Sequence, residues 1–311
     1  MSGVRLQPLT RRKVASLGEE GQVWLEELPT VLDELAEQWA LTWGRPLPGG
    51  SASYVVAAVD AAGRDRAVKV GVPDPEPPDE ARTLGAARGR GYAVLHGHDP
   101  ARRALLLERL GPSLQQSPMA PERTLDLLLD TLREAWTLPL AVAPEVLPGQ
   151  DRASLLRRMV LDLDARLGGA CEDAVLAQAV EYADRRTADR DTGQVVVHGD
   201  PHPANALRVG VPREGAASGY CFVDPVGVRC DPAYDVGVVL RDWTGRLAEG
   251  GRPVLEGYCD RLAARSGLDR QRIWEWAFLE RVSTGLSTTG FGATRIGAAF
   301  LGSARLLLDR P

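Results

Sequence analysis

VVVHGDPHPANALRV, residues 195–209, joins a run of three valines to a proline-rich loop that carries His198, Gly199, Asp200 and Asn205. A β-branched run ending at Gly-Asp-Pro reads as a short strand that delivers a loop. Pro201 and Pro203 fix their own φ angles and stiffen that loop. Such a loop aims the Asp200 carboxylate one way and, about a turn later, presents the Asn205 amide oxygen to a hard cation. Downstream, the second apolar run YCFV at 220–223 ends on Asp224, a carboxylate suited to the same cation.

Working outward toward the N-terminus, apolar residues from Gly21 to Trp43 recur three and four apart, which predicts an amphipathic helix broken at Pro29. Tyr54 to Val59 and Arg66 to Val70 are β-rich runs separated by the turn at Asp60 to Gly63, and they read as a hairpin. The stretch GVPDPEPPDE at 71–80 gives way to a predicted helix from Asp79 to Ala87. Further strands are expected at Ala93 to Leu95 and Ala104 to Leu107, the second running into Glu108 and the Gly111-Pro112 boundary. Beyond that boundary the periodicity is helical, at Glu122 to Trp136, Arg152 to Leu167, Cys171 to Arg186 and in several segments after Asp235. The expected class is therefore α+β and bilobal: a small antiparallel-sheet lobe with a leading helix over residues 1–109, and a larger, mainly helical lobe over 110–311.

A chain of 311 residues, 44% hydrophobic, can bury the core such a plan requires. The formal net charge of −5 leaves no basic footprint for nucleic acid and suits a cationic small molecule better. Cys171, Cys221, Cys230 and Cys259 show no CxxC spacing, which points to a reducing cytoplasm rather than a disulfide scaffold. The N-terminal basic residues precede no apolar leader, and no stretch is long and apolar enough to predict a membrane span. Nothing in the sequence signals an obligate protein partner.

Phosphoryl transfer from a nucleotide requires metal to bridge the phosphates, a cation to hold them, and a carboxylate to orient the acceptor hydroxyl. His198, Asp200 and Asn205 stand at the intervals of the kinase catalytic loop, with Asp224 at the position of its second metal ligand. On HGDPHPAN, the VDP at 223–225 and the DPAYD at 231–235, the chain resembles the aminoglycoside phosphotransferases, a family with a protein-kinase-like fold. Within them it is similar to the streptomycin 6-phosphotransferase and hydroxyurea phosphotransferase branch. The resemblance implies ATP and Mg²⁺ as cosubstrate and cofactor, with Asp200 as base, Asn205 and Asp224 as metal ligands, and Lys69 as phosphate anchor. It implies a hydroxyl acceptor on a small molecule, streptomycin first, with a hydroxyurea-like compound or another metabolite as the alternative. A nucleotide-binding pseudokinase is the reading from a different class.

Lys69 lies in a buried-type strand where an ammonium needs anionic partners, and Glu80, opening the next helix, is the natural one; Glu76 competes with it. Gly49, Gly50, Ser51 and Ser53 precede the first hairpin strand and could lay backbone amides and hydroxyls on phosphates. Backbone groups of Glu108 and Leu110 are the candidates for the adenine edge. His198 and Asp235 are expected to support the loop. His202 either touches substrate or stabilises the loop, and Asp231 either meets a cationic acceptor or caps a helix. Gly199 stands where protein kinases carry an arginine, so the switch that links that arginine to a phosphorylated activation segment is not expected.

Overall fold

The computed structural model describes residues 4, 6–48, 52–74, 79–190 and 193–308. Gly49, Gly50, Ser51 and Glu76 lie outside the described residues. The chain opens with α1 (Pro8–Ser16) and α2 (Glu19–Trp39). The buried stripe Trp24, Leu28, Leu32 and Leu35 seats α2 on one face of the sheet, against Tyr54, Val56, Val68, Val70 and Leu106. Contrary to the sequence expectation, Pro29 does not break α2. It sits on the exposed side of the helix, away from the sheet. The helix stops four residues short of Trp43 because Ala40 turns left-handed at φ 50° and Trp43 joins a strand, β1 (Leu41–Pro46).

β1, β2 (Ser53–Asp60), β3 (Asp65–Gly71) and, after α3 (Glu80–Ala87), β4 (Leu95–Asp99) and β5 (Ala104–Glu108) form one antiparallel sheet in the order β1-β2-β3-β5-β4. Asp60 closes the β2–β3 hairpin by accepting from the amides of Ala62 and Arg64. Alternation along β3 sends Val68 and Val70 into the core under α2 and leaves Lys69 on the opposite face with Ala67, which belongs to the core of the helical half. Strand β4 begins at Leu95 rather than Ala93, because Gly91 and Ala93 are taken by Phe222: its amide donates to Gly91 O (2.8 Å) and its carbonyl accepts from Ala93 N (2.9 Å).

The helical half holds α4 (Pro121–Ala135), α5 (Arg152–Arg166) and α6 (Asp173–Ala188), then four three-residue strands, β6 (Val195–Val197), β7 (Ala206–Arg208), β8 (Tyr220–Phe222) and β9 (Val228–Cys230). It ends with α7 (Ala233–Arg241), α8 (Thr244–Gly250), α9 (Arg252–Ser266), α10 (Arg270–Gly290) and α11 (Thr294–Arg305). The valine and YCFV runs do not pair with each other: β6 pairs β9, and β7 pairs β8. Two antiparallel ribbons therefore hold the loop between them. Helix α10 runs through the centre with Trp274, Trp276 and Phe278 buried, so these aromatics are core. The four cysteines are buried free thiols. Among the described residues no helix is long and apolar enough to cross a membrane.

Helices α7 and α10 approach until their backbones nearly touch at Gly237, where a Cβ would stand 2.5 Å from Trp276 Cβ and 2.8 Å from Ala277 N. Gly237→Ala forces the two helices apart and is expected to cost about 1–3 kcal/mol. Urea denaturation checks this; an unchanged midpoint would show that the two helices do not approach so closely.

Candidate active site

Asp235, one turn into α7, is fully buried and organises the loop from beneath. Its Oδ2 accepts from the amide of His198 (2.8 Å) and from Trp136 Nε1 (2.8 Å), and its Oδ1 accepts from the amide of Gly199 (2.9 Å). Burial pushes its carboxyl up to about 6 against the pull of these donors, so it remains ionised at neutral pH. Gly199 adopts φ 93°, and a Cβ there would meet Val226 Cβ at 2.6 Å. Only glycine fits this position.

The His198 ring is bonded at both nitrogens. Nδ1 accepts from the amide of Asp200 (3.1 Å) and Nε2 donates to Val223 O (2.9 Å). That pattern fixes the neutral Nε2–H tautomer, and burial between Tyr92 and Phe222 lowers the ring to about 4. His198 is thus loop architecture that ties Asp200 to the strand end bearing Asp224.

Asp200 projects from this frame with its side chain 40% exposed. Arg241, in the last turn of α7, donates from Nη2 to Asp200 Oδ1 (2.9 Å), and His202 Nε2 lies 3.4 Å from Oδ2. Burial raises the Asp200 carboxyl, but the His202 contact and the Arg241 charge outweigh it and hold the group well below the usual range. His202 is shifted the other way, upward, by Asp200 against its own burial. Its Nδ1 accepts from the amide of Ala204 (3.2 Å), so it both shapes the loop and faces the carboxylate.

Asn205 donates Nδ2–H to Asp200 O (3.0 Å) and its backbone carbonyl accepts from the amide of Val223 (3.0 Å), joining the loop to the end of β8. Asp224 follows in a left-handed conformation at φ 59°, sparsely populated outside glycine but more accessible to aspartate. Lys69 Nζ donates to Asp224 Oδ1 (2.6 Å) and to Glu80 Oε2 (2.5 Å). Burial alone would lower the lysine, yet the two carboxylates raise it above its ordinary value. It is therefore a fixed cation. Lys69, Glu80, Asp224, Asn205 and Asp200 are brought together from β3, α3 and the loop region. The side-chain amide of Asn205 spends its nitrogen on Asp200, and Asp224 engages Lys69 through one oxygen. An amide oxygen and a carboxylate oxygen are a hard donor pair that fits Mg²⁺, whose remaining positions are ordinarily filled by phosphate and water.

Ser53, Glu108, Leu110 and Asp231 are the remaining described residues that the sequence assigns to the site. Ser53 pairs with Gly71 in the sheet and its carbonyl accepts from Thr10 Oγ1. The amide of Glu108 is already given to Val94 O (3.0 Å), which removes it from contact with an adenine edge, while its carboxylate accepts from the amide of Val94 and from Arg213. Leu110 is buried with Val209 and Cys221. Asp231 is buried, accepts from the amide of Ala233 (2.9 Å) just ahead of α7, and lies 3.5 Å from Arg272 and 3.9 Å from Arg186. Sequence reasoning missed Arg241, whose only cue is its place on the helix that carries Asp235 in its first turn. Glu280 is buried and accepts from Tyr234 OH (2.7 Å) and Arg152 Nη2 (3.2 Å).

Residues 38–292 match the model of the aminoglycoside/hydroxyurea antibiotic resistance kinases. The chain is 27% identical to a streptomycin 6-kinase of Streptomyces glaucescens over 97% of its own length and 96% of that protein. It is 28% identical to a hydroxyurea phosphotransferase of Kitasatospora aureofaciens over 94% of its length and 82% of that protein. Among solved structures it is similar to aminoglycoside phosphotransferase APH(3'')-Id of Streptomyces rimosus, in complex with ADP and streptomycin (TM-score 0.51, 21% identity, 83% of this chain and 98% of that one). It is likewise similar to an ethanolamine kinase of Plasmodium vivax (TM-score 0.57, 11% identity, 85% and 81% covered). These structures share its bilobal, kinase-like α+β fold.

Because both ring nitrogens of His198 are engaged, its ¹⁵N resonances are expected to stay those of the neutral Nε2–H tautomer down to about pH 5, given a ring lowered to about 4. Between that value and the unfolded value near 6.5 the unfolded chain binds the extra proton, so His198 costs stability as pH falls through this window. A ring that titrates near 6.5 in the folded protein would contradict the arrangement.

Proposed function

The chain belongs to the aminoglycoside/hydroxyurea antibiotic resistance kinases, and from that premise we propose that it transfers the γ-phosphoryl group of ATP to a hydroxyl of an aminoglycoside such as streptomycin, inactivating it. The observation that carries the reading is the Lys69 cation held between Glu80 and Asp224 beside a loop that presents Asp200 and Asn205. A small-molecule O-phosphotransferase needs these groups together, and their assembly from distant segments speaks against a pseudokinase.

In this mechanism Lys69 holds the nucleotide phosphates while Glu80 fixes the position of its ammonium group. Asn205 and Asp224 would hold Mg²⁺, which when bound with the nucleotide offsets negative charge on the phosphates. Asp200 accepts the hydrogen bond of the acceptor hydroxyl and lines its oxygen up with the γ-phosphorus. Its carboxyl is held so low that it orients the hydroxyl first and receives the proton only as the new P–O bond forms. His198 and Asp235 keep the loop in shape. Residues 1–109 form the nucleotide lobe and 110–311 carry the metal site and the acceptor pocket. The net charge of −5 favours a cationic acceptor. The similar identity to a hydroxyurea phosphotransferase supports hydroxyurea as the second acceptor to test.

The test is ATP consumption with streptomycin, hydroxyurea and a panel of small alcohols, with mass detection of the phosphorylated product. Phosphorylated streptomycin is the expected outcome; turnover on another acceptor alone would reject the resistance role and keep the kinase. Asp200→Asn should lower turnover by about 10²-fold or more while nucleotide binding persists. Near-normal turnover in that variant would remove Asp200 from the chemistry.

A further inference from the structure

Arg241 ends α7 with its side chain 14% exposed, and it faces three carboxylates through three different nitrogens. Nη2 donates to Asp200 Oδ1 (2.9 Å), Nε donates to Asp242 Oδ1 (3.0 Å), and Nη1 lies 3.7 Å from Glu280 Oε2. Glu280, 3% exposed on α10, is itself fixed by Tyr234 OH and Arg152. The Tyr234 hydroxyl in turn lies 3.1 Å from Gly199 O, on the loop next to Asp200. A planar guanidinium with a carboxylate at each corner has one orientation, a constraint that the point charge of a lysine does not reproduce.

We propose that Arg241 is a positioning residue for phosphoryl transfer: by occupying Oδ1 of Asp200 it stops the carboxylate from rotating and leaves Oδ2 as the oxygen that receives the acceptor hydroxyl. The inference rests on the kinase reading of the site and deepens it. Among the described residues Oδ2 faces His202 at 3.4 Å, a contact that an incoming hydroxyl can replace, whereas Arg241 holds Oδ1 at 2.9 Å. Folding alone does not explain the pair. With one member 40% exposed, the ion pair adds little stability. Orientation does explain it, because reacting groups must be held within roughly 0.5 Å, and displacement by about 1 Å can cost 10²-fold in rate.

The experiment compares the parent chain with R241K and R241Q, measuring kcat and KM for ATP with streptomycin and hydroxyurea as acceptors, nucleotide binding, and thermal melting. R241Q should lose about 100-fold in kcat and R241K roughly tenfold, with KM for ATP within about twofold of the parent and nucleotide binding retained. A purely structural arginine would instead lower melting temperature, ATP affinity and turnover together. If R241Q does not fold, R241K decides alone. Turnover within about twofold of the parent in R241K, or a loss confined to KM for ATP, overturns the proposal. A parent chain that phosphorylates no acceptor, the panel of small alcohols included, overturns the kinase reading and this inference with it, whereas an active parent with an unaffected R241K overturns this inference alone.

Discussion

The buried carboxylate of Asp235 is the point from which the site is built. Three N–H groups converge on it, from Trp136 at the end of α4 and from the successive amides of His198 and Gly199. A charge that deep is tolerated only when its oxygens are satisfied, and removing donors from it would leave an unpaired buried group costing several kcal/mol. The carboxylate thereby fixes α4, α7 and the loop to one another. Once His198 and Gly199 are set, the left-handed turn at Gly199 and the ring bonds of His198 determine where Asp200 and the end of β8 stand.

On that frame the charges alternate. Lys69 comes from the sheet, sits between Glu80 and Asp224, and is the cation through which the sheet reaches the loop. Arg241 comes from α7 and sits among Asp200, Asp242 and Glu280. Glu80, Asp224, Asp200 and Glu280 are each held by a cation from a different element. The close approach of α7 and α10 at Gly237 is what brings Arg241 within reach of Glu280.

Part of this was legible in the sequence because it is local. The spacing of His198, Asp200 and Asn205 is a property of one loop, and the alternation in β3 sends Lys69 to the inner face whatever else the chain does. Glu80 follows from its place at the start of the next helix. The rest depends on packing between distant segments. The helical periodicity that ran past Trp39 concealed β1, because a short strand after a long helix adds no contrary signal until the chain reverses at Ala40. Arg241 and Glu280 are far apart in the sequence and meet only because α7 packs on α10. The amide of Glu108 is lost to Val94, a partner that no spacing rule names.

Asp235 holds the loop in its working shape, and Asp235→Asn takes away one of the two oxygens through which it does so. The amide offers one acceptor oxygen where two are used and turns an NH₂ toward a donor. The variant should lose roughly 3 kcal/mol of stability to urea and about 10²-fold of its phosphoryl-transfer turnover. Stability and turnover equal to those of the parent chain would contradict the account.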